Sequence, residues 1–191
     1  MSVDTFEAIF TRRSCGRLLD PAPSGDDVRR ILEAAAAAPD HGCMKPFRFV
    51  VLAGSAKDEF GHVLADAYTA RCAERGVPVD PDALEKERTK LGRAPLVVVV
   101  GAVRQEARKV PWEEQENAAA AAAENALLAA TALGYGSMWR TGDPAYDRRV
   151  KAALGLSADD AIVGFLYLGS APRTQAQRVP DLAGLVTEWT P

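Results

Sequence analysis

Apolar positions along this chain recur with two different periods, and the changes between them mark out its elements. Phe6, Ile9 and Phe10 have helical spacing, which predicts a helix from Thr5 to Arg13. Ser14-Cys15-Gly16 interrupts it, and Asp20-Pro21-Ala22-Pro23 reads as a rigid loop. Ser24 with Asp27 forms a variant capping box ahead of Val28, Ile31 and Leu32, and the helix they start runs into Ala34 to Ala38 and stops near Pro39. Pro46 to Leu52 alternates and then becomes fully apolar, a strand entering the core. A second helix is predicted from Ser55 to Arg75, with Phe60, Val63, Leu64, Ala67 and Tyr68 on one face and a break at Gly76 to Pro81. Asp82 to Leu91 is charged and reads as a solvated helix or a lid. Leu96 to Val100 is a β-branched run bounded by turn residues, the pattern of a central strand.

From Glu113 to Leu133 the chain is helical, and beyond Asn117 it carries a single charge, Glu124. A helix apolar nearly all round belongs inside something, and its alanines suit close approach of another helix or a subunit. Gly134 is placed to cap it. Tyr135 to Arg140 reads as a strand, Pro144 to Leu154 as a surface helix ending at Gly155, and Ala161 to Gly169 as a final strand. The tail from Ser170 is rich in Pro, Arg and Gln, yet it ends in Leu182, Leu185, Val186 and Trp189, which predicts packing on another surface. Helices and strands mix without a βαβ rhythm, so the fold class is α+β.

Composition narrows the function. The 191 residues are 48% hydrophobic, 26% charged and 7% aromatic, with a formal net charge of −3. That length suits one domain over 1–191, and a chain of this size buries about 70% of its unfolded surface without a metal or disulfide staple. The charge balance argues against a nucleic-acid partner, and no apolar run approaches the ~20 residues of a membrane span. The N-terminus lacks the basic head and apolar stretch of a secretory signal. Three cysteines, Cys15, Cys43 and Cys72, share no close spacing, and the expectation is a soluble, cytoplasmic protein.

Several chemistries have no motif here. No GxGxxG follows a predicted strand, no GxxxxGK[ST] or GxSxG occurs, and His41 and His62 are the only histidines, without a CxxC to form a zinc site. An enzyme of this composition would take its chemistry from a bound cofactor. Arg12-Arg13-Ser14 with Arg17 offers guanidinium forks and a hydroxyl for a phosphate, or else an ordinary basic patch at a helix end. The loop Ala38 to Phe47 concentrates Asp40, His41, Cys43 and Lys45, a site or a structural turn; Cys43 taken alone reads as an inert small hydrophobe. Gly134 to Gly142 lets backbone N–H groups approach a ligand beside Trp139, or is a Gly-rich strand edge. Lys109 to Glu116 reads as the acidic first turn of the long helix.

In order and spacing these segments resemble the nitroreductase family of flavoproteins, in particular its compact YdjA-type members. The matching pieces are Arg12-Arg13-Ser14 with Arg17, Ala38-Pro39-Asp40-His41 through Met44 to Pro46, and Arg93-Ala94-Pro95-Leu96. They continue through Lys109-Val110-Pro111, Gln115-Glu116 and Trp139-Arg140-Thr141-Gly142 to Ile162 through Gly169. The resemblance implies a nitroreductase-like fold with a central, mainly antiparallel sheet flanked by helices, entwined in a homodimer with FMN at the subunit interface. It implies that Arg12, Arg13 and Ser14 hold the FMN phosphate and ribityl end. Arg17 would approach the pyrimidine edge, and Trp139, Arg140 and Thr141 the ring around N5. His41 would come from the other subunit, and Arg173 or Arg178 would complete the phosphate site. The implied activity is NAD(P)H-dependent, ping-pong reduction of nitroaromatics, quinones or similar electron-poor acceptors, with no catalytic side chain and no metal. A flavin-storage dimer and a non-flavin interaction protein are the rival readings.

Overall fold

The two most apolar runs of the sequence lie side by side in the middle of one sheet. In the computed structural model, which describes residues 4–106, 109–173 and 176–190, β2 (Leu96–Ala102) pairs antiparallel with β4 (Ala161–Gly169). The edges are β1 (Phe47–Ala53) on β2 and β3 (Gly136–Arg140) on β4, giving the order β1-β2-β4-β3 with every pair antiparallel. Every residue of β2 is buried. Its run is apolar without alternation because both faces of the sheet are covered, so neither set of side chains meets water.

One face is covered by α3 (Ser55–Arg75), whose Phe60, Leu64 and Ala67 pack with Leu91 and Val150 against Val97, Val99, Phe165 and Tyr167. The other carries α5 (Trp112–Ala132) and α2 (Gly25–Ala36), where Ile31 and Ala35 meet the alanines of α5 above Val98, Val100, Leu166 and Leu168. The small side chains let α2 and α5 approach until Asn125 donates to the carbonyl of Ala34 at 3.1 Å. Beyond Asn117 no residue of α5 is exposed, although several are only partly covered. Ser24 caps α2 by accepting from the Asp27 N–H, as expected. The Asp27 carboxylate also receives the hydroxyl of Tyr135, which ties α2 to the chain entering β3.

Two elements differ from expectation. The strand read over Pro46 to Leu52 is an edge strand: within β1 only Leu52 is buried, and Arg48, Val51 and Ala53 are exposed. The helix read from Pro144 to Leu154 is two, α6 (Asp143–Tyr146) and α7 (Arg148–Ala153), parted by the extended Asp147. Nor is it a surface helix, since Ala145 and Val150 are in the core. The helix breaks because the Asp147 side chain turns back to accept the Arg149 N–H and cap α7. The charged stretch after Asp80 forms α4 (Pro81–Thr89) and a 3₁₀ turn, Lys90–Arg93, anchored by the buried Leu91. The N-terminal α1 covers Thr5–Thr11. No helix among the described residues is long and apolar enough to cross a membrane. Residues 1–3 of the N-terminal reading, and Thr174 and Gln175 of the tail, lie outside the described residues.

Candidate functional site

The segment after α1 is laid against the free edge of β3. Ser14 forms a parallel bridge with Ser137, and the Cys15 N–H donates to the Ser137 carbonyl at 2.9 Å. Buried Cys15 and Leu18 anchor the segment, and the Leu18 N–H reaches the Arg93 carbonyl. Arg12 and Arg13 are thereby held where α1 ends, at a hollow of about 320 Å³ that Thr131, Tyr135 and Arg173 also line. Arg12 lies 3.6 Å from the Glu124 carboxylate of α5, while Arg13 donates to the carbonyls of Arg12 and Ala176. The described lining carries three guanidinium groups and one carboxylate, Glu7, with Glu124 beside Arg12, an excess of positive charge that favours an anion there. Of the two tail arginines it is Arg173 that lines the hollow; the Arg178 backbone N–H bonds Phe10 on the outer side of α1.

Past the Ser14–Ser137 bridge the outer edge of β3 is open. Because the Ser137 carbonyl points away from β4, the two-residue alternation of a strand turns the backbone groups of Trp139 and then Thr141 the same way. Neither has a backbone partner on that side among the described residues. The Ser137 hydroxyl is buried there and unpaired. The Trp139 indole lies on the α5 face, donating to the Val163 carbonyl at 3.1 Å. It fills the place of a side chain at Gly164, where a Cβ would come within 2.1 Å of Nε1. Thr141 also borders a second hollow, about 500 Å³, walled by Trp112, Asn117 and Tyr146.

Alternation sends the Arg140 side chain to the opposite face. Its guanidinium lies over the Tyr167 ring, 5.9 Å from the centroid, and its Nε is buried without a partner. Trp139 and Arg140 therefore do not face a common ligand with their side chains. Arg17 sits between the two anchors, exposed, beside a separate hollow with Lys57 and Asp58. His41 pairs closely with Glu114 at the start of α5. Ten residues separate Glu114 from Glu124, so about 15 Å of helix parts His41 from Arg12 within one chain.

The loop holding His41 is strained. Gly42, Cys43 and Lys45 all have φ between 49° and 73°, and the Lys45 N–H is held by the Asp40 carboxylate at 2.5 Å. Cys43 is exposed rather than packed as a small hydrophobe. Gln115, read as part of an acidic first turn and as one of the matching pieces of the resemblance, is a buried hub: it accepts from the Gln105 N–H and donates to the Val110 carbonyl. Arg71 was also missed, although it continues the buried stripe Phe60, Leu64, Ala67 one turn further along α3, the one signal that could have found it. It donates to the buried Asp147 at 2.7 Å.

The chain matches the profile of the nitroreductase family over residues 9–170. It is 39% identical over 188 residues to YdjA of Escherichia coli (strain K12), covering 97% of this chain and 99% of that protein. Among solved structures, a nitroreductase-like family protein from Bacillus cereus superposes with a TM-score of 0.80 at 21% identity, over 99% of this chain and 97% of that one. A protein from Desulfovibrio desulfuricans, crystallised in complex with FMN, superposes at 0.73 with 27% identity, over 100% and 99% of the two chains. The chain belongs to the nitroreductase family.

Proposed function

We propose that this chain is an FMN-dependent NAD(P)H oxidoreductase that acts as a homodimer on nitroaromatic, quinone or similar electron-poor acceptors. The observation that carries the reading is that the arginine-lined hollow and the open outer edge of β3 adjoin the same Ser14–Ser137 bridge. It is supported by the FMN complex of the Desulfovibrio relative and by YdjA, which is provisionally described as an NAD(P)H nitroreductase. Arg12 and Arg13, with Arg173 beside them, would hold the phosphate, and Ser14 the sugar-alcohol chain next to it. The backbone N–H groups of Trp139 and Thr141 are left to orient the ring system along the edge. FMN held there would supply the hydride-transfer chemistry between a nicotinamide donor and the acceptor. The chain's own work is binding, orientation and positive charge, and the hollow beside Thr141 offers an acceptor flat aromatic walls in Trp112 and Tyr146.

Large apolar side chains left in water support the dimer. Phe6 is 65% exposed, Leu185 74% and Trp189 85%, and such patches mark interaction surfaces. In a two-fold dimer with the α5 helices antiparallel, the Glu114 end of one α5 lies against the Glu124 end of the other. His41 of the partner subunit, rather than His41 of the same chain, would then stand near Arg12. A cytoplasmic location fits the three unpaired cysteines.

The test is the visible spectrum of the purified protein, taken before and after anaerobic NADH or NADPH. A flavin spectrum that bleaches is expected. A protein that stays colourless after FMN is added and the excess removed overturns the reading, and a yellow protein that neither donor bleaches transfers it to flavin storage. Arg13→Ala should weaken FMN retention about tenfold or more, the worth of one charge-assisted hydrogen bond; unchanged flavin content would remove Arg13 from the site.

A further inference from the structure

The face of the sheet opposite α5 holds a cavity of about 290 Å³ between α3, α4 with its 3₁₀ turn, α6, the end of β3 and the middle of β4. Its apolar walls are Leu64, Leu91 and Phe165, and its polar end is formed by Arg93, Arg140 and Tyr167. The other cations lining it are paired or in water: Lys90 pairs with Glu87 at 2.6 Å, Arg71 with Asp147 at 2.7 Å, and Lys86 is exposed. Arg93 and Arg140 are not. Both are partly buried, and neither has a carboxylate within 4.0 Å among the described residues; in addition, Arg140 keeps a buried, unpaired Nε. Holding two guanidinium groups away from water without an anion is costly, and an anion between them would offset that cost.

Tyr167 adds a donor at the same place. It is 4% exposed, and its hydroxyl makes no hydrogen bond among the described residues. Burial pushes its pKa up to about 12 against the pull of Arg140 and Arg93, so at neutral pH it keeps its proton and can donate. The cavity is larger than an inorganic anion needs, and Leu64, Leu91, Pro144 and Phe165 line it, so the complementary ligand has an acidic end and a hydrophobic body.

We propose that this cavity is a second ligand site, distinct from the flavin site, that binds a small aromatic carboxylic acid. The carboxylate lies between Arg93 and Arg140 and accepts the Tyr167 hydroxyl, and the ring lies against Leu64, Leu91 and Phe165. The site borders the proposed flavin edge at Thr141, which lines both, but Arg93, Arg140 and Tyr167 lie on the face of the sheet opposite Trp139 and α5, so the proposal does not depend on the flavin reading.

Benzoate titrated calorimetrically into the purified protein, with whatever flavin it retains, is the test. Saturable binding is expected, weakened tenfold or more in Arg93→Met and in Arg140→Met and severalfold in Tyr167→Phe, with Arg93→Lys within a few-fold of wild type. Tyr167→Phe keeps the core filled, so it serves where an arginine variant fails to fold. No saturation by about 10 mM benzoate overturns the proposal. So does binding of equal strength in all of these variants, or benzoate released by added FMN, since either seats the acid in the flavin site.

Discussion

At the scale of single residues, the most consequential polar contact in the described chain is Arg71 with Asp147. Burial raises the Asp147 pKa, but the Arg71 guanidinium and the Arg149 N–H together outweigh it and hold the carboxyl below its ordinary value. A carboxyl lowered in the folded state stabilises the fold above its unfolded pKa of about 3.9 and loses that contribution as the pH falls through the folded value. Asp147→Asn strands a buried guanidinium and removes the charge that the pair needs, at a cost of about 3 kcal/mol at pH 7. Urea unfolding should show that gap at pH 7 and show it narrowing only below about pH 4; a gap that does not change with pH would mean that the carboxylate charge is not its source, and no gap at all that the carboxamide replaces the carboxylate fully. Trp139 and Arg140 show how much one residue of register matters. Adjacent in sequence, they serve opposite faces of the sheet, and only one of them looks toward the α5 side.

At the scale of elements, α4 is set by contact with α3 at Gly61. A Cβ at Gly61 would come within 2.1 Å of the Arg88 carbonyl oxygen, a backbone atom that cannot rotate aside. Gly61→Ala must push α4 away, and with it the Lys90–Arg93 turn that forms one wall of the α3-side cavity. Alanine gains about 1 kcal/mol of helix propensity over glycine, and overpacking costs about 1–3 kcal/mol, so the expected sum is a net loss. A lower urea midpoint with an unchanged slope checks this, and a rise in the midpoint would show that α4 yields freely. The alanine helix α5 is the opposite case. Its small side chains create no cavity because the sheet and α2 close on them, and Ala119, Ala122, Ala123 and Ala130 are fully covered.

For the whole molecule, the surface left by one chain is the informative feature. The tail runs back over α1, where the Arg178 N–H bonds Phe10, and then presents Leu182, Leu185, Val186 and Trp189 to water. Sedimentation equilibrium should give two chains per particle. Leu182→Asp combined with Leu185→Asp should shift that toward one and release flavin at the same time, because the proposed site draws His41 from the partner subunit. Flavin retained by a monomeric variant would show that one chain completes the site.

Much of this architecture is decided locally and could be read along the chain. Ser55–Arg75 and Ala161–Gly169 have the bounds that their patterns predict, since Gly76 takes the left-handed conformation that ends the first and turn residues enclose the second. The arginines at the end of α1 and the glycines around β3 were also visible, because donors and backbone freedom are properties of residue type. What tertiary structure alone decided was which strand would be an edge, which arginines would share a hollow, and where Asp147 would divide a helix. Arg12 and Arg13 meet Arg173 from the far end of the chain, whereas Arg17, only four residues on, faces elsewhere because Cys15 and Leu18 pin the backbone between them. Local pattern sets what a segment can form; its exposure and neighbours depend on residues more than a hundred positions away, and only the closing of the core brings those together.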